Sequence, residues 1–312
     1  NVADGVAAYR AGSHDGVIAF GGGSTMDVAR ATALMVGQCR PIWDFEDRED
    51  WYLRADANAI APIVAVPTTA GTGSEVGRVA VITDEAARCK KLIFHPMLMP
   101  KIVILDPDLT LSLSPELTAA TGMDALAHNL EAYCARGFHP LADGIALEGM
   151  RLVKNWLPIA VKDGSDISAR AHMLVASTMG ATAFQKGLGA IHALSHPVGA
   201  LYNTHHGMTN AVFMPYVLAF NRSEITVLLE RLASHLELPQ GDADSVLQWV
   251  LERQKIGIPH SLAELGVTED GVDQLVALAE IDQARACNPR PLSKQDLAQL
   301  FIAAIRGDLQ KS

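Results

Sequence analysis

A chain of 312 residues, 49% apolar and 19% charged, carries enough apolar material for one large or two ordinary domains, which excludes an intrinsically disordered protein. Its formal net charge of −10 argues against wrapping nucleic acid or resting on an anionic membrane, and no apolar run approaches the roughly 20 residues that cross a bilayer. Cys39, Cys89, Cys134 and Cys287 form no CxxC pair, the pattern of reduced cytoplasmic thiols packed as small hydrophobes rather than of a disulfide framework.

The opening NVADGVAAYRAG reads as a helix that leads straight into the strand GVIAF. A dinucleotide-binding fold has at least one strand–helix unit before such a point, so about 60–80 further residues of that domain are expected upstream of Asn1. Candidate strands are Val17–Phe20, Ile63–Val66, Val79–Thr83 and Ile102–Leu105. Helical stretches separate them, such as Ser24–Val36, which follows three glycines and stops at Gly37. This alternation predicts an α/β layer with a largely parallel sheet. The acidic, irregular stretch Asp44–Asp50 and the following WYLRADANAIAP read as a solvated surface connection.

Near Asp106 the character changes. In SLSPELTAATG, Ser114 suits a helix N-cap and Pro115 the first helical position. Long apolar-periodic segments follow at Ala142–Trp156, Ala169–Phe184, Ser223–Leu236, Ala243–Gln254, Gly271–Ala279 and Ser293–Arg306. The expected organisation is an α/β dinucleotide-binding domain over 1–113, incomplete at its N-terminus, and an all-helical metal-binding domain over 114–312. No solenoid repeat is present.

Two turns carry phosphate-binding chemistry. Phe20-Gly21-Gly22-Gly23-Ser24 lies between a strand and a helix, where glycines allow close backbone approach and the helix N-terminus offers free N–H donors. It is not GxGxxG, and topology alone also explains such a turn. The stretch from Pro67 to Glu75, PTTAGTGSE, packs four hydroxyls, two glycines and a carboxylate behind another buried strand. That is a neutral hydrogen-bonding cradle suited to phosphate, ribose or a carboxamide. Lys90 and Lys91 follow, and spacing does not choose which of them would offer a cation to a phosphate.

A metal set lies in the second part. Asp124 and His128 are four apart in GMDALAHNLEAY, so on a helix they aim at one point. His192 and His196 have the same spacing in GAIHALSHPVGALYNTHHG, with Gly187, Gly189 and Gly199 permitting close packing, and His206 can return to the same place after a turn. One carboxylate with three imidazoles suits Fe²⁺ or Zn²⁺ better than Mg²⁺. His14, His95, His139, His172, His235 and His260 have no comparable setting.

The motifs GGGSTMD, PTTAGTGSEV, ATGMDALAHNLEAY and GAIHALSHPVGALYNTHHGMTNAVFMP, with CNPRP near the end, resemble the iron-dependent (group III) alcohol dehydrogenase family. The likeness runs from Asp4 to the helical C-terminus; the last two long motifs are highly specific. It implies a dehydroquinate synthase-like architecture, an N-terminal dinucleotide domain and an all-helical domain with the active site in the cleft between them. It also implies metal ligands at Asp124, His128, His192 and His206, and His196 lining the site near the nicotinamide. Cofactor contacts map onto Gly22, Gly23, Ser24, Asp27, Thr68, Thr69, Thr72, Ser74, Val81 and Lys90, which settles Lys90 over Lys91. The family's first strand, with its ribose-contacting acidic residue, is missing here, so NAD and NADP both remain open, with NAD favoured.

The reaction implied is hydride transfer between C4 of a nicotinamide and a small alcohol, diol or aldehyde bound to the divalent metal. His196 and an ordered water would carry the proton outward. Phe184, Val79 and Ala284 are candidate pocket walls. A homodimer or higher homo-oligomer in the cytoplasm is expected. Rival readings are an NAD- and metal-dependent lyase or cyclase of dehydroquinate synthase type and a catalytically silent metal-binding fragment. The lyase would want Lys and Arg around the metal, yet the segments Gly122–Cys134 and Gly187–Asn210 contain neither. Maleylacetate-type reductases lack the metal histidines, and a hydrolase would leave the Thr/Gly loop unexplained.

Overall fold

The structure, a computed structural model, describes residues 1–87 and 89–309. Helix α1 (Val2–Ala11) enters strand β1 (Val17–Gly21), which turns through Gly22 into α2 (Gly23–Met35). Strand β2 (Ile63–Pro67) pairs in parallel with β1, Val17 opposite Ile63 and Phe20 opposite Val66. The antiparallel hairpin β3 (Val79–Asp84) and β4 (Cys89–Phe94) comes next, then the short β5 (Ile102–Val103), parallel to β2.

Two expectations about the sheet need correction. Val79–Thr83 does not join the parallel layer; among the described residues it pairs with β4 alone, giving a sheet ordered β1-β2-β5 and a separate hairpin. CKKLIF carries no clear strand signal in the sequence because two lysines interrupt its apolar character. In the hairpin they fall on alternate faces, and Lys91 Nζ reaches Asp84 Oδ2 at 2.7 Å while lying over the Trp43 ring. Strand β5 is also shorter than Ile102–Leu105, since the chain turns into a 3-10 segment at Pro107–Thr110.

Apolar residues on one side of the sheet, Ala19, Ile63 and Ala65, pack with Met26, Ala31, Ala33 and Leu34 in a core that also takes in Phe45, Ala80, Ile93 and Leu98. The buried Phe45, and Asp47 N–H donating to Leu92 at 2.8 Å, show that the acidic stretch is packed against β4 rather than simply solvated.

The helical part opens with α3 (Pro115–Cys134), where Ser114 Oγ accepts from Leu117 N–H at 3.2 Å and Pro115 occupies the first turn. From Gly122 to Cys134 every α3 residue is buried, so this is the central helix. Around it lie α4 (Pro140–Lys162), α5 (Ile167–Ala183), α6 (Ala190–Tyr202) and α7 (His206–His235), followed by α8 (Ala243–Gln254), α9 (Val272–Glu280) and α10 (Lys294–Arg306). Their core runs from Ala119 to Ile305, takes in Ala70 from the first part and has Leu105 packed against it.

Helix α7 is far longer than the expected Ser223–Leu236. It is continuous for 30 residues with Pro215 inside it. Residues 207–218 are buried on every side, so no polar–apolar period marks them, and proline usually reads as a stop. By length and composition α7 could cross a bilayer, contrary to the reading from the sequence, but 56% of its apolar window is buried inside the fold.

Gly207 fixes how closely α7 approaches α3: a Cβ there would collide with the Ala120 carbonyl. That carbonyl is helix backbone and cannot yield. Gly207→Ala should therefore lower stability by about 1–3 kcal/mol, outweighing the gain of alanine in a helix. Urea titration checks this, and a midpoint at or above wild type would show that the helices separate freely.

Candidate functional site

Helices α3, α6 and α7 each deliver one atom to a common point. A carboxylate oxygen of Asp124 and ring nitrogens of His192 and His206 all lie within 4.8 Å of one another. Asp124 and His192 are buried, and His206 borders a cavity with a third of its side chain exposed. Nε2 of His206 stands 3.7 Å from Asp124 Oδ1. His128 is more loosely placed, with Nε2 4.0 Å from the same oxygen and its ring stacked on His192 at 4.7 Å between centroids. One oxygen and two or three imidazole nitrogens form a donor set that fits a borderline divalent cation.

Partners on the far side of each ring aim it. His192 Nδ1 lies 2.6 Å from Glu131 Oε2, and Glu131 Oε1 accepts from Ile191 N–H at 2.6 Å. His128 Nδ1 lies 3.1 Å from the Gly71 carbonyl. Both contacts leave Nε2 facing the common point. Burial, reinforced by His128 and His196, drives His192 well below its ordinary value of 6.5, so its ring is neutral with a lone pair to give. Burial also pushes the Glu131 carboxyl up to about 7, against backbone N–H donors at Ile191 and Gly189 that pull it down.

A cavity of about 770 Å³ reaches this point. Gly22, Gly23, Ser24, Thr69, Thr72 and Lys90 line one part of it, and Asp124, His206 and Gly207 line another. The glycines are required by crowding: a Cβ on Gly23 would sit 2.7 Å from Thr72 Oγ1, and one on Gly71 would sit 2.8 Å from the Thr121 carbonyl. Gly73 adopts a left-handed backbone, φ 62°, wedged against Ala181 and Ser177 of α5. The N-terminus of α2 therefore opens onto the same space as the carboxylate–imidazole group.

Comparison with known proteins agrees with this geometry. The model of the iron-containing alcohol dehydrogenase matches residues 1–107, and that of the Fe-containing alcohol dehydrogenase family, C-terminal, matches 118–305. The chain belongs to the iron-containing alcohol dehydrogenase family. It is 43% identical to a 4-hydroxybutyrate dehydrogenase of Cupriavidus necator over 306 residues, which is 95% of this chain and 79% of that one. It is 36% identical to an NAD-dependent methanol dehydrogenase of Bacillus methanolicus, covering 97% and 81%. A solved 1,3-propanediol oxidoreductase superposes with a TM-score of 0.92 at 33% identity, covering 97% and 80%. A sulfoacetaldehyde reductase from Bifidobacterium kashiwanohense in complex with NAD⁺ gives 0.88 at 29%, covering 97% and 79%.

In this iron-containing alcohol dehydrogenase the expected cofactor residues divide into two sets. Gly22, Gly23, Ser24, Thr69, Thr72 and Lys90 line the cavity. Asp27, Thr68, Ser74 and Val81 do not. Asp27 Oδ1 accepts from Arg30 and from Ser74 Oγ, Oδ2 accepts from Val81 N–H at 2.9 Å, and Arg30 also donates to Ser74. This buried knot ties α2 to the loop after β2 and to β3. Thr68 N–H donates to the Gly21 carbonyl at 3.0 Å, holding the two turns together. Glu75 faces away as well, accepting from Thr178 Oγ1 at 2.6 Å.

His196 stands where its spacing implied, stacked on His206 at 5.5 Å between centroids. Its Nδ1 lies 2.8 Å from Asp282 Oδ2. Of the candidate walls, Phe184 lies 5.1 Å from the His128 ring and Ala284 donates its N–H to Asp282, while Val79 pairs with Phe94 in the hairpin. Sequence reasoning missed Glu131, Asn210 and Asp282. The first two lie one helical turn after His128 and His206, so a search for polar residues at that spacing finds them. Asp282 has no such signal.

Glu131→Gln keeps the size of the side chain but weakens its hold on His192 Nδ1. Divalent-metal affinity, measured by competition with a chromophoric chelator, should fall about 10–100-fold. Affinity equal to wild type would show that His192 is aimed by packing alone.

Proposed function

We propose that this enzyme interconverts short primary alcohols, diols or related ω-hydroxy compounds with their aldehydes, using NAD and a divalent metal, iron or zinc. The observation that carries the reading is a single cavity lined by both the glycine turn of α2 and the Asp124–His206 group. The relatives are named for small oxygenated substrates, which supports the same class.

In this reading Asp124, His128, His192 and His206 hold the cation, and Gly22, Gly23, Ser24, Thr69, Thr72 and Lys90 hold the dinucleotide. When bound, the metal supplies Lewis-acid polarisation of the alcohol or carbonyl oxygen, and the nicotinamide accepts or supplies hydride. The chain's own work is orientation. The α2 N-terminus and its dipole suit a pyrophosphate, and the threonine hydroxyls fix the nicotinamide half. Phe184, against His128, keeps water from one side of the site. His196 takes the alcohol proton at Nε2 while Asp282 holds Nδ1 and steadies the charged ring. Among the described residues lining the cavity, Lys90 is the one Lys or Arg, which suits a small neutral substrate better than the polyanion of a cyclase. All four cysteines are free thiols, which supports a cytoplasmic enzyme. Phe138, 95% exposed, and Leu141, 77% exposed, support self-association into a homo-oligomer.

Two measurements test this. Stripping the metal with a chelator should abolish turnover of a short alcohol and aldehyde panel while dinucleotide fluorescence still reports binding; full turnover without metal would end the reading. His196→Ala should lower kcat by about 10²-fold or more with metal content intact. Unchanged turnover would remove His196 from the proton path.

A further inference from the structure

Asn210 lies one turn after His206 on α7 and is fully buried, at 0% exposure. Its Nδ2 reaches Asp124 Oδ1 at 2.8 Å, His206 Nε2 at 3.1 Å and His192 Nε2 at 3.2 Å. These residues are the same three that form the candidate metal group. The Oδ1 end of the amide is buried with no hydrogen-bond partner among the described residues.

An amide NH₂ has two hydrogens and no lone pair to offer, so Nδ2 acts only as a donor and both imidazoles must accept. His192 can do so because its Nδ1 is engaged by Glu131. Three acceptors share one donor group while the carbonyl goes without a partner. The side chain is therefore placed for its nitrogen. A buried unpaired carbonyl is unfavourable and persists only where the rest of the group gains more.

We propose that Asn210 is the positioning residue of the metal group, an internal stand-in for the cation. Its amide nitrogen gathers the three ligand atoms when no ion is bound and gives way when one enters. The two states exclude each other at the imidazoles, since each Nε2 has one lone pair and cannot serve both an N–H and a cation. The Asp124 carboxylate has lone pairs to spare and can keep its bond to Asn210 in both. Metal uptake then exchanges a neutral N–H donor for a cation, within ligands already gathered. An interaction made more fully in the ion-free protein stabilises that form and, by linkage, moderates ion affinity.

The inference rests on the ligand assignment above, so one experiment examines both. Wild type and Asn210→Ala are stripped with chelator, then reloaded with Zn²⁺ or Co²⁺. Thermal unfolding and metal affinity, by chelator competition, are recorded for each. Wild type should unfold at a higher temperature when loaded; no rise would mean that the ligand assignment fails. Stripped Asn210→Ala should melt several degrees below stripped wild type, about 2–4 °C or more. Loaded Asn210→Ala should fall markedly less, and its metal affinity should be tighter by roughly threefold to tenfold. Asn210→Leu keeps the size and loses the donor without adding a ligand, so its stripped form should be destabilised and rescued by metal in the same way. Equal losses in the stripped and loaded forms would overturn the inference, since Asn210 would then be an ordinary core hydrogen bond. Weaker metal binding by tenfold or more, or failure of both variants to fold with metal supplied, would overturn it too, because the loaded protein would then need the amide.

Discussion

Three lone-pair-bearing atoms held within 4.8 Å of one another in a mostly buried space form an unfavourable arrangement unless a positive or hydrogen-donating group sits among them. That constraint organises much of the helical part. Helix α3 supplies Asp124, α6 supplies His192 and α7 supplies His206, so the arrangement exists only if all three helices pack closely. Gly207 permits the approach of α7 to α3, and Gly180, whose Cβ would sit 2.9 Å from that of His128, permits the approach of α5 behind the ligands. Glu131 and Asn210 then supply what packing alone does not. One fixes a tautomer from behind and the other donates from the front. Buried polar groups of this kind hold a structure together when their partners are complete and weaken it when one is removed.

The first part of the chain meets this group through backbone rather than through a ligand. Gly71 lies in the loop after β2, and its carbonyl contacts His128 Nδ1 at 3.1 Å. The same loop presents Thr69 and Thr72 to the cavity and is secured at its base by the Asp27–Arg30–Ser74 knot. Asp27 and Ser74 thus set the shape of the loop rather than line the cavity.

Much of this was legible in the sequence. The two-part organisation showed as a change from alternating β-branched runs to long apolar periods. The four-residue spacings of Asp124 with His128 and of His192 with His196 placed each pair on one helical face, and the glycine turns marked the backbone positions that crowd the cavity. What stayed hidden has physical causes. Strand β4 hid because its lysines alternate faces, which composition alone does not reveal. The first half of α7 hid because a helix buried all round has no amphipathic period. The hydroxyls and carboxylate of PTTAGTGSE looked equivalent, yet only tertiary contacts decide that Thr69 and Thr72 face the cavity while Ser74 and Glu75 face α2 and α5. Asp282 could be found only once the fold brought it to His196, 86 positions away in the chain.

Helix α7 shows why the hidden part matters most. At its N-terminus it must present His206 to the cavity, Gly207 to the α3 backbone and Asn210 to three acceptors within about one turn. Those demands leave no room for a polar outer face, so residues 207–218 are buried on every side while His206 opens onto the cavity. Enclosure removes water that would otherwise compete for the imidazole lone pairs and lowers the local dielectric, which strengthens every charge–dipole contact in the group. It also makes each polar atom there dependent on a protein partner, which is why one amide is surrounded by three acceptors. The features that make α7 hard to read as a period in sequence are therefore those that let it complete the carboxylate–imidazole group. A more amphipathic helix would be easier to recognise and would hydrate the polar side chains it carries.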